Sequence, residues 1–283
     1  MQGKIARISG PGAHSSLNVS GPEAEGTVVL QGAHVSEWRP AGHDPVLWMS
    51  CQSALQPGLP LRGGIPICFP WFAAHPQDSS LPLHGRVRTQ IWDVTSCGDH
   101  ETGSPLIVLQ TQCDDFELIC RVTLAKSLEL DLKITLADSA ETACQFEAAL
   151  HTYLAVGDIR RVTVSGLEKS GFIDKVHDQK LCAPENAPLK FRGETDRIYL
   201  DTQSEVVVHD PVLNRQLQIR GRGAKSTVVW NPWIEKSARM GDFGDDEWTE
   251  MLCVETACVN RNQLRLEPGE SHLLGATISA AHV

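Results

Sequence analysis

The sequence has 283 residues, of which 41% are hydrophobic and 21% are charged, and its formal net charge is −10. This composition excludes intrinsically disordered and fibrous proteins, and a net-negative surface argues against a nucleic-acid partner. All-β folds of this size are often a single domain, so we expect one domain over residues 1–283.

Membrane and secretion signals are missing from the sequence. The longest stretch without a charged residue, 45–61, contains three prolines and a glycine, which argues against a membrane-spanning helix. The first ten residues have no apolar segment, so we expect no signal peptide. Nine scattered cysteines without a C-x-x-C pair are typical of reduced thiols. We therefore expect a cytoplasmic protein with no membrane partner.

Apolar and polar residues alternate along most of the chain. The two clearest runs, 116–124 and 128–136, are separated by a gap of hairpin length, and each predicts a strand with one buried face. Weaker alternation predicts further strands at 27–30, 106–110, 145–156, 161–164, 205–208, 216–220, 227–230 and 273–278. No long segment has helical periodicity. The pattern thus predicts an all-β fold, a large antiparallel sandwich of two sheets.

Arginines stand out in the first of two long irregular stretches, 57–84 and 235–250, and just after it. Arg62 precedes two glycines, a pattern that lets the backbone approach a ligand while the guanidinium reaches it. Arg86 and Arg88 are two apart and would share one face of a strand, which suits phosphate. Ordinary surface pairing with acids remains open for all three arginines on spacing alone.

Two further residues stand in surroundings of low charge. His151 lies in a strand-like segment, where a buried histidine bonded to backbone is the ordinary interpretation. Glu255 is the only charged residue between Glu250 and Arg261. A carboxylate inside an apolar run is costly unless it is paired or functional, which favours a functional role for Glu255.

Six segments together point to a family. In chain order they are RGGIP (62–66), HGRVR (84–88), LHTYL (150–154), ETDRIY (194–199), WNPWIEK (230–236) and MLCVE (251–255). This set resembles the D-hexose-6-phosphate mutarotases, or glucose-6-phosphate 1-epimerases, of the aldose 1-epimerase superfamily. The resemblance implies a β-supersandwich of the galactose mutarotase type. It also implies an isomerase that interconverts the α and β anomers of a hexose 6-phosphate and needs no metal or organic cofactor.

The resemblance also implies roles for individual residues. His151 would be the general acid and Glu255 the general base, ionised as imidazolium and carboxylate at neutral pH. The implied substrate-binding residues are Arg62, Arg88 and Asp196. We expect additional substrate contacts from His84, Arg86, Lys236 and Trp233, with Trp71 and Phe72 as further candidates for the sugar face. Asp196 falls in a polar turn, where without the family it would pair with Arg192 or Arg197.

This chain departs from the family pattern at two positions. Leu83 stands where some members have glutamine, and Arg86 stands where many have an apolar residue. Two alternatives therefore stay open: an aldose 1-epimerase for unphosphorylated sugars, and a non-catalytic regulatory protein that binds sugar phosphates. We expect a monomer whose partner is a small-molecule hexose phosphate.

Overall fold

A computed structural model describes residues 3–10, 12, 14–99, 103–203 and 205–283. The first strands are β1 (Lys4–Ser9), β2 (Ser15–Ser20), β3 (Ala24–Val29), β4 (His34–Pro40), β5 (Ile67–Cys68), β6 (Asp93–Asp99), β7 (Pro105–Cys113), β8 (Phe116–Leu124) and β9 (Ser127–Leu136). The next are β10 (Cys144–Phe146), β11 (Ala148–Leu150), β12 (Tyr153–Ala155), β13 (Thr163–Ser165), β14 (Phe172–Asp174), β15 (Lys180–Cys182) and β16 (Leu189–Lys190). The last are β17 (Thr195–Leu200), β18 (Val206–Asp210), β19 (Arg215–Arg222), β20 (Ser226–Asn231), β21 (Met251–Cys258), β22 (Leu264–Leu266) and β23 (Ser271–His282), with one short helix, α1 (Trp233–Ser237).

The strands form two large and two small sheets. The nine-stranded sheet has the order β16-β13-β18-β19-β23-β9-β8-β7-β6. The eight-stranded sheet has the order β15-β14-β17-β20-β21-β11-β5, and β12 also pairs with β21. The small sheets are β1-β2-β3-β4 and β10-β22. Neighbouring strands in the two large sheets are antiparallel, so the predicted all-β sandwich is confirmed.

The core contains the apolar faces of both large sheets. Strands β8 and β9 pair in register, with Cys120 opposite Leu132, and every second residue of each is buried, as the alternation predicts. One continuous cluster of buried side chains joins these residues to Val229 and Val254 of the eight-stranded sheet. Fully burying one such aliphatic side chain stabilises the fold by about 1.5–3 kcal/mol.

Strand β21 is buried at all eight positions, because both of its faces are covered. Val254 belongs to the main core. On the opposite face of the eight-stranded sheet, Ala257 and Val228 pack with Phe72, which comes from the irregular segment 57–84. This loop-covered face carries Glu255.

The prediction of one strand over 145–156 is wrong. The segment is divided into β10, β11 and β12, with breaks at Glu147 and at His151 and Thr152. At the first break the Glu147 carboxylate accepts the backbone N–H groups of Phe72 (2.9 Å) and Asn260 (2.6 Å), so this position supports neighbouring loops. At the second break the His151 N–H donates to the Pro66 carbonyl (2.9 Å). In the described ranges no helix has the length and apolarity needed to cross a membrane.

Candidate active site

The eight-stranded sheet brings distant residues onto one face. Asp196 of β17 pairs with Trp230 of β20, and Trp230 pairs with Cys253 of β21. Side chains at paired positions, and at positions two apart on a strand, share a face. Asp196, Trp230 and Glu255 therefore lie on the same face. The prediction that Asp196 lies in a turn is wrong, because β17 pairs with β20 along its whole length.

His151 and Glu255 meet on this face. His151 follows β11 and precedes β12, and both of those strands pair with β21, which carries Glu255. His151 Nε2 lies 3.5 Å from Glu255 Oε1, and the residues are 6% and 1% exposed. The structure therefore brings together the two residues for which the resemblance implies acid–base roles.

Burial opposes charge on both members of this pair. The pKa of His151 lies well below its usual 6.5, first because of burial and then because of the neighbouring basic groups of His84, Arg62 and Arg88. Burial and the Asp196 carboxylate raise the pKa of Glu255 well above its usual 4.5, and Lys175 partly offsets them. In the unliganded site, burial therefore favours the neutral forms of both side chains over the expected imidazolium–carboxylate pair.

Three polar atoms near this pair lack partners. Glu255 Oε2, His151 Nδ1 and Arg88 Nε are buried without a hydrogen bond within the described part of the chain. Buried polar atoms are almost always bonded in native proteins, so each unpaired one calls for an explanation. A polar ligand between these side chains would satisfy them.

Aromatic rings hold the His151 imidazole. Tyr153 stacks on it with ring centres 4.7 Å apart and planes at 9°. Trp230 meets it edge-on at 6.2 Å. Neither ring had an expected role from the sequence, although Tyr153 lies in the same LHTYL segment as His151.

Arg62 reaches the same rings. Its Nη1 donates to Tyr153 Oη at 2.8 Å, and its Nε and Nη2 donate to the Asp242 carboxylate at 3.0–3.2 Å. Gly63 and Gly64 have φ values of 118° and 60°, and a Cβ on either would collide with a backbone carbonyl. The two glycines thus permit close packing of the chain against itself, and the ligand approach expected from the sequence stays a prediction.

The paired arginines of the HGRVR segment diverge. Val87–Thr89 is a 3₁₀ turn and not a strand, so the prediction of a shared face is wrong. Arg88 Nη2 donates to the Leu83 carbonyl at 2.7 Å, and burial lowers its pKa. Arg86 instead pairs with Asp114 at 3.0 Å and lies 5.2 Å from the Trp71 ring. It lines a groove of about 680 Å³.

His84 lies beside His151, with ring centres 5.3 Å apart. It has a left-handed backbone (φ 62°), and its Nδ1 accepts the Ala73 N–H at 3.2 Å. The neutral ring therefore carries its proton on Nε2. Burial, followed by Arg88 and Lys175, lowers its pKa well below 6.5, which favours that neutral ring.

Asp196 is the centre of a small charge network. Its Oδ2 lies 3.1 Å from Lys175 Nζ and 3.9 Å from Lys236 Nζ, and Lys236 also bonds Glu194 at 2.6 Å. The expected pairing of Asp196 with Arg192 or Arg197 is wrong, because Arg197 pairs with Glu185 instead. Sequence reasoning missed Lys175, which lies outside all six quoted segments.

The candidate aromatic residues separate in the structure. Phe72 packs 4.9 Å from His84, and the Lys175 ammonium lies 5.4 Å from its ring. Trp71 is buried and donates to the Pro82 carbonyl at 3.0 Å. Trp233, at the start of α1, packs on Trp248 at 4.4 Å. In the described residues no group of three or more His, Cys, Asp or Glu side chains could hold a metal ion.

Comparisons with known proteins agree with this geometry. The aldose 1-epimerase family profile matches residues 16–279. An Escherichia coli K12 protein, provisionally named glucose-6-phosphate 1-epimerase, is 37% identical over 265 residues, which cover 90% of this chain and 87% of the relative. A Cenchrus ciliaris protein with the same provisional name is 31% identical over 258 residues, covering 86% of this chain and 77% of the relative.

Solved structures give the same result. A provisionally named mutarotase from Salmonella typhimurium superposes with a TM-score of 0.88 at 30% identity, covering all of this chain and 94% of that one. A galactose 1-epimerase from Lactobacillus acidophilus has a TM-score of 0.73 at 11% identity over 100% of this chain and 99% of that one, which shows a shared fold. The chain therefore belongs to the aldose 1-epimerase family.

Proposed function

We propose that this isomerase interconverts the α and β anomers of a hexose 6-phosphate, with glucose 6-phosphate as the substrate. The observation that carries the proposal is the buried His151–Glu255 pair, 3.5 Å apart and close to two arginines. The name shared by the relatives points to the same substrate.

The reaction needs one proton to leave the anomeric hydroxyl and one to reach the ring oxygen. Glu255 takes the first proton through Oε2, the atom without a partner. The bond between C1 and the ring oxygen breaks, and His151 protonates that oxygen. The open aldehyde then rotates about its C1–C2 bond and closes on its other face, with the proton transfers reversed. Positioned acid–base groups of this kind contribute about 10²–10⁴-fold each.

Substrate binding would supply the charge that this mechanism needs. In the unliganded site Arg62 and Arg88 lower the pKa of His151. A phosphate dianion beside these arginines would offset their charges and raise that pKa. In the complex the Glu255 carboxyl proton would then move to His151, whose Nε2 lies 3.5 Å from Glu255 Oε1. This transfer leaves an imidazolium acid beside a Glu255 carboxylate that can accept the anomeric proton.

The remaining candidates divide between phosphate and sugar. Arg62 and Arg88 hold the 6-phosphate, and Arg88 Nε is an unused donor. Asp196 and Lys236 contact sugar hydroxyls, and His84 donates through Nε2. We assign Arg86 no phosphate contact, since Asp114 and Trp71 engage it. We also assign Trp233 no direct contact with the ligand, since it packs on Trp248.

Polarimetry or proton NMR exchange on freshly dissolved α-glucose 6-phosphate tests the proposal. We expect the enzyme to accelerate anomerisation of the phosphosugar much more than that of glucose. Equal acceleration of both sugars would favour the aldose 1-epimerase alternative. Binding of the phosphosugar without acceleration would favour the regulatory alternative.

Arg88→Ala is expected to raise KM for glucose 6-phosphate by about 10–100-fold, because a hydrogen bond to a charged group contributes about 1.5–3 kcal/mol. The KM for glucose should change little. Steady-state kinetics on both sugars check this, and Arg86→Ala is the matched comparison, with a smaller effect expected from its place beside Asp114. Equal losses on both sugars would contradict a phosphate role for Arg88.

We also propose that residues 1–283 form one domain, and that the protein is a cytoplasmic monomer that binds no nucleic acid. One buried cluster joins both large sheets, and all nine cysteines are free. A single unfolding transition would support one domain, and a solution mass near 31.0 kDa would support a monomer. Two separate transitions or a multiple of that mass would contradict them.

A further inference from the structure

The Arg62 guanidinium is already occupied by an anion from its own chain. Asp242 accepts from Nε at 3.2 Å and from Nη2 at 3.0 Å, so it takes the edge of the guanidinium that forms the Nε–Nη2 fork. Tyr153 Oη accepts from Nη1 at 2.8 Å. The same fork is the part of an arginine best suited to bidentate phosphate recognition.

Neighbouring residues hold the Asp242 segment in place. The next residue, Phe243, is buried with its ring 5.0 Å from Trp48. Farther along, the Asp245 carbonyl accepts from Ser237 Oγ at 3.1 Å. The Asp242 carboxylate is therefore anchored in front of Arg62.

The ion pair remains open to a ligand. The side chains of Arg62 and Asp242 are 22% and 28% exposed, so an incoming anion can reach the guanidinium. For such an anion, the positive charge of Arg62 is partly neutralised by Asp242, and the Nε–Nη2 edge of the guanidinium is already hydrogen-bonded. The affinity of an anion for Arg62 alone is therefore reduced, and contacts made by the rest of the ligand decide more strongly which ligands bind.

We propose that Asp242 is a specificity-determining residue, whose carboxylate competes with the ligand's phosphate for Arg62. A free phosphate ion then binds weakly, whereas a phosphosugar binds because its sugar makes additional contacts. The proposal rests on the proposed function only in placing the phosphate at Arg62.

Inorganic phosphate is the probe that tests this competition without requiring turnover. Its Kd is measured by isothermal titration calorimetry at constant ionic strength for the wild type, Asp242→Asn and Asp246→Asn. Asp242→Asn is expected to bind phosphate about tenfold more tightly, because the competing charge is gone while the shape is kept. Asp246 is exposed on the same segment, so Asp246→Asn should leave the Kd unchanged.

A second measurement separates competition from damage to the fold. Asp242→Asn should lower kcat for glucose 6-phosphate by about tenfold while phosphate binding tightens, because the neutral amide holds Arg62 against Tyr153 less firmly than the carboxylate does. General structural damage would weaken both properties together. Circular dichroism checks folding, and Asp242→Ser replaces the asparagine variant if that one does not fold.

Unchanged or weaker phosphate binding in a folded Asp242 variant would overturn the proposal, as would the absence of measurable phosphate binding in all three proteins. Failure of the proposed function has a different signature. In that case the wild type would not accelerate anomerisation of glucose 6-phosphate, whereas the order of the phosphate Kd values would still hold.

Discussion

Glu255→Gln is expected to reduce anomerisation of glucose 6-phosphate by about 10³-fold, close to the uncatalysed rate. Glutamine keeps the shape and the hydrogen-bonding capacity of the side chain but cannot accept the anomeric proton. The test is proton NMR exchange at saturating substrate, with the uncatalysed rate subtracted. Glu250→Gln is the matched control, because Glu250 is exposed just before β21, and it should keep full activity. Retention of more than a tenth of the activity by Glu255→Gln would contradict the assignment of Glu255 as base.

The same substitution should stabilise the protein. The pKa of Glu255 is raised in the folded state, so the wild type becomes progressively less stable as the pH rises above 4.5 and the unfolded carboxyl ionises. Glutamine does not ionise, and the stability gain of Glu255→Gln should therefore grow with pH. Urea unfolding at several pH values measures it. A variant that is less stable at every pH would mean that its lost activity reflects damage to the fold.

The strand architecture was predictable from the sequence wherever one face is buried and the other is wet. The run at 116–124 coincides with β8, and 128–136 lies within β9, because their alternation repeats with the two-residue period of a strand. The prediction of a single strand over 145–156 was wrong because it relied on the same alternation. The alternation in this segment continues past Glu147 and His151, although those two residues bond to loops outside the strand ladder.

Residues of the site were predictable only where the residue type is unusual for its surroundings in the sequence. Glu255 stands out as a carboxylate within an apolar run, and its burial follows from a strand covered on both faces. Lys175 and Asp242 give no such signal, because charged residues in loops are ordinary and their partners are distant in sequence. Arg86 misled because the spacing of two suits a strand, whereas the chain forms a 3₁₀ turn at Val87–Thr89.

In the proposed mechanism, the protonation of His151 and Glu255 links binding to chemistry. If His151 and Glu255 were permanently charged, they would be equally able to transfer protons with or without a ligand. Here the burial that disfavours charge on His151 is reinforced by Arg62 and Arg88 at the proposed phosphate site. The burial that disfavours charge on Glu255 is reinforced by Asp196. In the proposed function, the ligand whose phosphate neutralises those arginines is also the substrate. The proposed selection for phosphosugars would thus arise from the proton affinity of His151 as well as from direct contacts.

His151→Asn is expected to lower kcat by about 10²-fold or more, since asparagine can form hydrogen bonds but cannot deliver a proton to the ring oxygen. The matched control is His177→Asn, because His177 is exposed and pairs with Asp174. Stopped-flow polarimetry gives kcat for both variants. A His151→Asn enzyme with near wild-type kcat would remove His151 from the mechanism.

The titration of His151 itself tests how binding prepares the acid. Its pKa should lie below 6.5 in the free protein. Below pH 6.5 the unfolded chain takes up a proton on this histidine before the folded protein does, so the folded state becomes less stable as the pH falls. Inorganic phosphate should raise this pKa by offsetting Arg62 and Arg88. NMR of the imidazole resonances follows the titration, and the signal lost in His151→Asn identifies the residue. A pKa that phosphate binding leaves unmoved would show that the arginines and the acid act independently.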